Sequence, residues 1–309
     1  MEILLGDWII KHFPVLLEES ISSLVTNQNG IYVDGTFGRS GHSRKILERI
    51  SLKGSLFSYD LDPEAKLEAA NINHSNFHFV HDNYRNIHLN FSDNSIDGVL
   101  LDCGVSSPQL DNPERGFSFK DNGPLDMRFN PKVGVSCAEI VNTFDEKDIS
   151  KILWDYGEEK ESRRIAKAIV DRRTVKGFTE TKDLSELICS VKKRKTKKHP
   201  ATKSFQALRI AVNDEIESLR DCLVNLKTKL KKGGRIVIIS FHSLEDRIAK
   251  ISFKEEVSFI EKKIPLIDDE PMKEFKVSKI IYPDEQELSN NIRSRSCLLY
   301  TSPSPRDPE

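Results

Sequence analysis

The chain of 309 residues has little that points outward. Its five cysteines, at 103, 137, 189, 222 and 297, form no Cys-x-x-Cys pair and no metal-ligand spacing. That argues against a disulfide scaffold or a zinc module and for a reduced, cytoplasmic setting. No apolar run is long enough for a membrane span, and no signal-peptide pattern opens the chain, so a soluble protein without membrane contact is expected. The net charge is -1 with 31% charged residues, so no global field draws the chain to nucleic acid. Any such contact must come from local patches. The dinucleotide fingerprint G-x-G-x-x-G is also missing, which weighs against a nicotinamide-dependent oxidoreductase.

A different glycine turn is present. Ile31-Tyr-Val33 reads as a short buried strand, followed by Asp34, then glycines at 35, 38 and 41, then a helix carrying Ile46, Leu47 and Ile50. Such a turn admits positive φ and close backbone approach to a ligand at the carboxyl edge of a parallel sheet. Asp34 stands where a pyrophosphate would be repelled, so a cationic ligand without phosphates fits better. The strand Ser55–Tyr59 ends at Asp60, placed to hold the two hydroxyls of an adenosine ribose. Asp62, before Pro63, is expected to cap a helix running to Ala70. A third strand, Phe77–Val80, leads to Tyr84, which could lie against adenosine or be a half-buried surface tyrosine. The fourth, Ile96–Asp102, is apolar on both faces, as a central parallel strand is, and delivers a further aspartate to the rim.

From 111 to 200 the strand pattern stops and helical stripes take over, such as Ile149, Ile152, Leu153 and Tyr156. This predicts an inserted all-helical domain at 111–200 between two halves of an α/β domain at 1–110 and 201–296. Leu208, Val212, Ile216, Leu219, Leu223, Leu226 and Leu230 predict one long helix packed on the sheet, stopped at Gly233-Gly234, before a fifth strand at Arg235–Ser240. Six basic residues lie within seven positions, Lys192 to Lys198; they are expected in solvent and suited to an RNA backbone.

Several segments together resemble the RsmH (MraW) family. They are His12-Phe-Pro-Val-Leu-Leu-Glu18, the turn Asp34 to Ser43, Leu101-Asp-Cys-Gly-Val-Ser-Ser-Pro-Gln-Leu110, Glu114 to Phe119, Gly123-Pro-Leu-Asp-Met-Arg128, Tyr156-Gly-Glu-Glu159, His199-Pro-Ala-Thr202, Phe205 to Ile210 and Ile239-Ser-Phe-His-Ser-Leu-Glu-Asp-Arg247. The resemblance spans about His12 to Ser296. It implies a class I methyltransferase: an α/β, Rossmann-like, mostly parallel seven-stranded sheet with the helical insert. It further implies transfer of a methyl group from S-adenosylmethionine to N4 of a cytidine in the decoding region of 16S ribosomal RNA, in the small subunit. By the same resemblance Ser40, Gly41, His42, Asp60, Tyr84, Asp102 and Gln109 would touch the cofactor. Asp102 and Ser106, with the Gly104–Ser107 loop, would serve catalysis as acceptors for the amino group. Phe117, Phe119 and Phe241 are candidate rings for stacking the target base, with core packing as the alternative role of each. A nucleophilic Cys103 is a further reading, without an apparent partner base. A binding-only RNA protein on the same scaffold is the rival, and a homodimer is left open.

Two places depart from the family. Ser40 stands where glycine is usual; if that backbone needs positive φ, serine costs on the order of 1 kcal/mol. After Ser296 the chain carries Pro303, Pro305 and Pro308 and looks like a translated cloning scar. Residues 297–309 are therefore read as a non-native tail that does not continue the sheet.

Overall fold

A computed structural model describes residues 14–193, 198–254, 280–291, 294–295 and 297–303. Its strands are β1 (Ile31–Asp34), β2 (Ser55–Tyr59), β3 (Phe77–Val80), β4 (Ile96–Asp102), β5 (Leu230–Ser240), β6 (Ile280–Ile281) and β7 (Leu298–Pro303). They form one sheet in the order β3-β2-β1-β4-β5-β7-β6. The pairs among β1 to β5 are parallel, and β7 is antiparallel to both β5 and β6. The strand order reverses between β1 and β4. In open sheets ligands bind at the carboxyl edge beside such a reversal.

Alternation sorts side chains to the two faces. Val33, Val99, Leu101, Ile236 and Ile238 pack in one core cluster; Tyr32, Leu100, Val237 and Ile239 pack in another. The second face is covered by α1 (Leu17–Leu24) and α2 (Gly41–Arg49). Past β2, α3 (Pro63–Ala69) starts where expected: the Asp62 carboxylate accepts the Glu64 N–H at 3.0 Å. A short helix, α4 (Ser107–Asp111), follows β4.

The helical part then runs through α5 (Cys137–Thr143), α6 (Glu146–Gly157), α7 (Ser162–Arg173) and α8 (Thr181–Val191) to α9 (Thr202–Asn213). Its own core joins Leu125, Ile149, Leu153, Ile165, Ile169, Leu184 and Ile188 with Ala201, Phe205 and Leu208. The predicted long helix is corrected here. Asp214 sits at φ 50° and ψ 40° and divides it into α9 and α10 (Glu215–Leu226). The two halves serve different cores: Leu208 packs in the helical part, while Ile216, Leu219, Leu223 and Leu226 pack on the sheet. Leu230 is already in β5, paired with Ile96, so the helix ends before the glycines. The last helices of the described residues are α11 (Ser243–Lys254) and α12 (Glu285–Asn290). No helix among the described residues is long and apolar enough to cross a membrane.

The expectation that the sheet stops before residue 297 is also corrected. Leu298 to Pro303 pair with β5 from Ser240 back to Arg235. Cys297, Leu299 and Tyr300 are buried in the sheet cores. Proline falls only on the last pair, where the missing N–H costs one terminal bond; Leu298–Ser302 has none. Pro305 and Pro308 lie outside the described residues.

Candidate functional site

One cavity opens at the carboxyl ends of β1, β2, β4 and β5, at the strand reversal. The β1 turn builds one wall. Gly38, at φ 53°, donates its N–H to Asp60 Oδ2 at 2.7 Å. A Cβ on Gly41 would stand 2.1 Å from the Pro14 ring, so α2 starts this close to the chain's beginning only with glycine. Ser40 does adopt positive φ, at 68°. It does not line the cavity; its hydroxyl donates to Glu68 and accepts from Arg44.

Asp34 is likewise not on the wall. It is fully buried, accepting the Thr36 N–H at 3.1 Å and the Ser43 hydroxyl at 2.6 Å. Burial, more than the neighbouring Asp60, pushes its carboxyl up to about 6. Its part is to shape the turn. Of the three strand-end aspartates the sequence pointed to, Asp60 and Asp102 reach the cavity.

Asp60 ends β2. Its oxygens accept the Gly38 and Asp62 N–H groups, and each keeps a lone pair free for a ligand hydroxyl. Desolvation pushes it up to about 6. Tyr84 lines the wall with its hydroxyl 3.4 Å from the Glu215 carbonyl. Gln109 also lines it, but its amide is engaged in bracing: Oε1 accepts the Ser106 N–H at 2.9 Å and Nε2 donates to Asp62 at 2.8 Å. Ser106 begins α4 on the same wall.

Asp102 holds the least satisfied group. Its N–H donates to Thr36 Oγ1 at 2.7 Å, yet Oδ1 is buried without a partner. Oδ2 lies 3.7 Å from His42 Nδ1. His42 Nε2 is 3.1 Å from the Val15 carbonyl, which can only accept, so the neutral ring turns a lone pair toward Asp102. Burial pushes His42 down to about 4. Burial, then Asp34 and Glu245, push the Asp102 carboxyl well above its usual range. An incoming cation would relieve both the orphaned oxygen and the desolvation. Cys103 beside it also lines the wall, and burial pushes its thiol well up, which disfavours the thiolate.

The wall as a whole is acidic. Asp60, Asp62, Asp82, Asp102, Glu215 and Glu245 contribute carboxyls; Arg39 is the guanidinium on the wall, and it is tied to Glu64. This fits a ligand with ammonium and sulfonium charges, ribose hydroxyls and no phosphate. S-adenosylmethionine is such a ligand.

Sequence reasoning missed four contributors. Glu215 and Glu245 line the cavity from α10 and α11. Phe129 is the wall's contribution from residues 111–200, and neither Phe117 nor Phe119 reaches it. Phe117 stacks behind Phe129, with ring centroids 5.8 Å apart, and Phe119 stacks on His199 at 4.4 Å. Arg115 fixes Phe129 to the rim, donating to Asp62 at 2.8 Å and to the Phe129 carbonyl at 2.8 Å. Phe241, expected as a candidate ring, does line the wall. Glu215 and Glu245 carried a signal, since each lies in the first turn of its helix; the Phe129 position carried none.

The basic run is partly corrected. The Lys192 side chain is buried: its ammonium contacts Glu159 at 2.6 Å and the Pro200 carbonyl at 2.9 Å. It is spent on holding the feet of this segment together rather than on a phosphate. Residues 194–197 lie outside the described residues.

The model of one protein family, the MraW methylase family, matches residues 9–302. The chain belongs to the MraW methylase family. Its methyl donor is S-adenosylmethionine, the ligand the cavity suits. It is 43% identical over 297 residues to a ribosomal RNA small subunit methyltransferase H of Coxiella burnetii (strain Dugway 5J108-111), covering 93% of this chain and 97% of that one. The same-named protein of strain CbuG_Q212 is 42% identical over the same shares. Among solved structures, a putative rRNA-methylase from Clostridium thermocellum is 9% identical, with a TM-score of 0.43 over 93% of each chain.

Proposed function

We propose that this methylase acts on ribosomal RNA of the small subunit, 16S RNA, and methylates N4 of a cytidine in its decoding region, in the cytoplasm. The observation that carries the reading is the acceptor-rich end of β4, where Asp102 Oδ1 is buried and unpartnered beside the Gly104–Ser107 loop on the cavity wall. The cytosine amino group is a poor nucleophile because its lone pair is delocalised into the ring. Acceptors that take its hydrogens localise that pair, and a fixed wall sets the line of attack. Bound S-adenosylmethionine supplies a methyl group on a sulfonium. Asp60 would orient the ribose, and Asp102 with the loop at Ser106 would receive an amino hydrogen. The base must leave its stack to enter. Phe129 and Phe241, both on the wall, offer faces for it. The names of the Coxiella relatives support the small-subunit substrate.

The test is uptake of label from methyl-labelled S-adenosylmethionine by 30S subunits lacking the modification, by 50S subunits and by transfer RNA. Label in the 30S RNA alone is expected. Label in the 50S RNA or transfer RNA instead would sink the proposal.

A further inference from the structure

Glu215 at the start of α10, His242 after β5 and Glu245 in the first turn of α11 bring ligand-type atoms within 4.8 Å of one another. Such a trio has the form of a divalent-cation site, but a cation already serves it. Arg209 donates from Nε and Nη2 to the two oxygens of Glu215, at 2.8 Å each. Glu245 is left as the member with capacity to spare. Its Oε2 accepts the N–H of Phe241 at 2.7 Å and that of His242 at 3.3 Å, which fixes the turn carrying the Phe241 ring. Its Oε1 lies 3.1 Å from His242 Nε2 and keeps a further lone pair. The side chain is 3% exposed, yet it belongs to the cavity wall together with Asp102. Burial raises its carboxyl, but His242, the Phe241 N–H and Arg209 outweigh that and hold it below its usual range, so it is anionic.

Transfer to an amino group must dispose of a proton. The N4 lone pair forms the new N–C bond, the S–C bond breaks with its pair left on sulfur, and an N4–H bond returns its pair to nitrogen. We infer that Glu245, through Oε1, is the catalytic base that accepts this N4 proton while Asp102 and the β4 loop hold the other hydrogen. The inference rests on the amino-group reading above. The proton passes from the carboxyl to solvent once the product leaves.

Glu245→Gln and Glu245→Ala separate this role from bracing. The Glu245→Gln side chain keeps a carbonyl oxygen for the Phe241 and His242 N–H groups and loses only the charge. Single-turnover methyl transfer to unmodified 30S subunits should fall at least about 100-fold in both variants, the usual scale for a positioned base. Calorimetry should find S-adenosylmethionine affinity within about threefold of the parent. A Glu245→Gln variant that keeps the parental rate while Glu245→Ala fails would make Glu245 a brace and overturn the inference. Loss of cofactor binding in Glu245→Gln would overturn it too. Chelation should leave the parental rate unchanged; activity lost to chelator and restored by a divalent cation would give the trio to a metal instead. Parental label on a ring carbon would sink the amino-group reading, whereas N4-methylcytidine from a fully active Glu245→Gln variant would sink only the role of Glu245.

Discussion

Lys192→Met should be among the most damaging single changes in the helical part. The Lys192 and Glu159 side chains are 5% and 4% exposed, with 2.6 Å between ammonium and carboxylate. Removing the lysine leaves the Glu159 charge buried, with the Glu161 N–H at 3.1 Å as its remaining donor. It also frees the Pro200 carbonyl. Breaking a buried pair from one side costs about 3–5 kcal/mol. Against a total stability of about 5–15 kcal/mol this is a large share. With a urea dependence near 3 kcal/mol per molar, the midpoint should drop by roughly 1–1.7 M. A Lys192→Met/Glu159→Leu double variant should recover most of the loss, because two apolar side chains need no pairing. Binding of 16S RNA at several salt concentrations gives the second readout. A phosphate-contacting lysine contributes a salt slope of about one; Lys192 should contribute none. A loss below about 1 kcal/mol together with a smaller salt slope would refute the buried pair and return Lys192 to the RNA.

Two further outcomes follow from the strand-end aspartates. Asp60→Ala should weaken S-adenosylmethionine binding about tenfold to several hundredfold, since each charge-assisted bond is worth about 1.5–3 kcal/mol; calorimetry showing a change under twofold would remove Asp60 from the ribose. Asp34 is raised to about 6 by burial, above its ordinary 3.8, so the folded chain binds this proton more tightly than the unfolded chain. Stability from this group is therefore greatest at low pH and falls as pH climbs from about 4 to about 6, by at most about 3 kcal/mol. Asp34→Asn should remove that fall, and the stability difference between variant and parent should change sharply across this window in urea titrations; a constant difference would contradict the assignment.

The cavity edge was legible because strand ends are local. Val33, Tyr59 and Leu101 close apolar runs, and the next residue in each case is an acid followed by turn residues. Asp62 before Pro63 declared itself a cap for the same local reason. What escaped depends on tertiary placement. Asp34 looks like Asp60 and Asp102 in sequence, but Ser43, one turn into α2, draws its carboxyl inward. The leucine stripe from 208 to 230 keeps its spacing through Asp214, and only the existence of two separate cores breaks it there. Lys192 carries the composition of a solvated run, while its burial is decided by Glu159, 33 residues earlier. Phe117, Phe119 and Phe129 are alike as letters. Arg115, reaching both Asp62 and the Phe129 carbonyl, selects which ring lines the cavity. The prolines after residue 302 weighed against a strand that Leu299 and Tyr300, both fully buried, secure before the prolines matter.

The central claim is that the methyl group goes to the exocyclic nitrogen of a cytidine. Unmodified 30S subunits, labelled with the enzyme and methyl-labelled S-adenosylmethionine, are digested to nucleosides and resolved by chromatography and mass spectrometry. Label co-migrating with N4-methylcytidine, and absent when Asp102→Ala replaces the parent, is the predicted result. Label in 5-methylcytidine or in a methylated purine would contradict the claim while leaving the fold and the cofactor site standing.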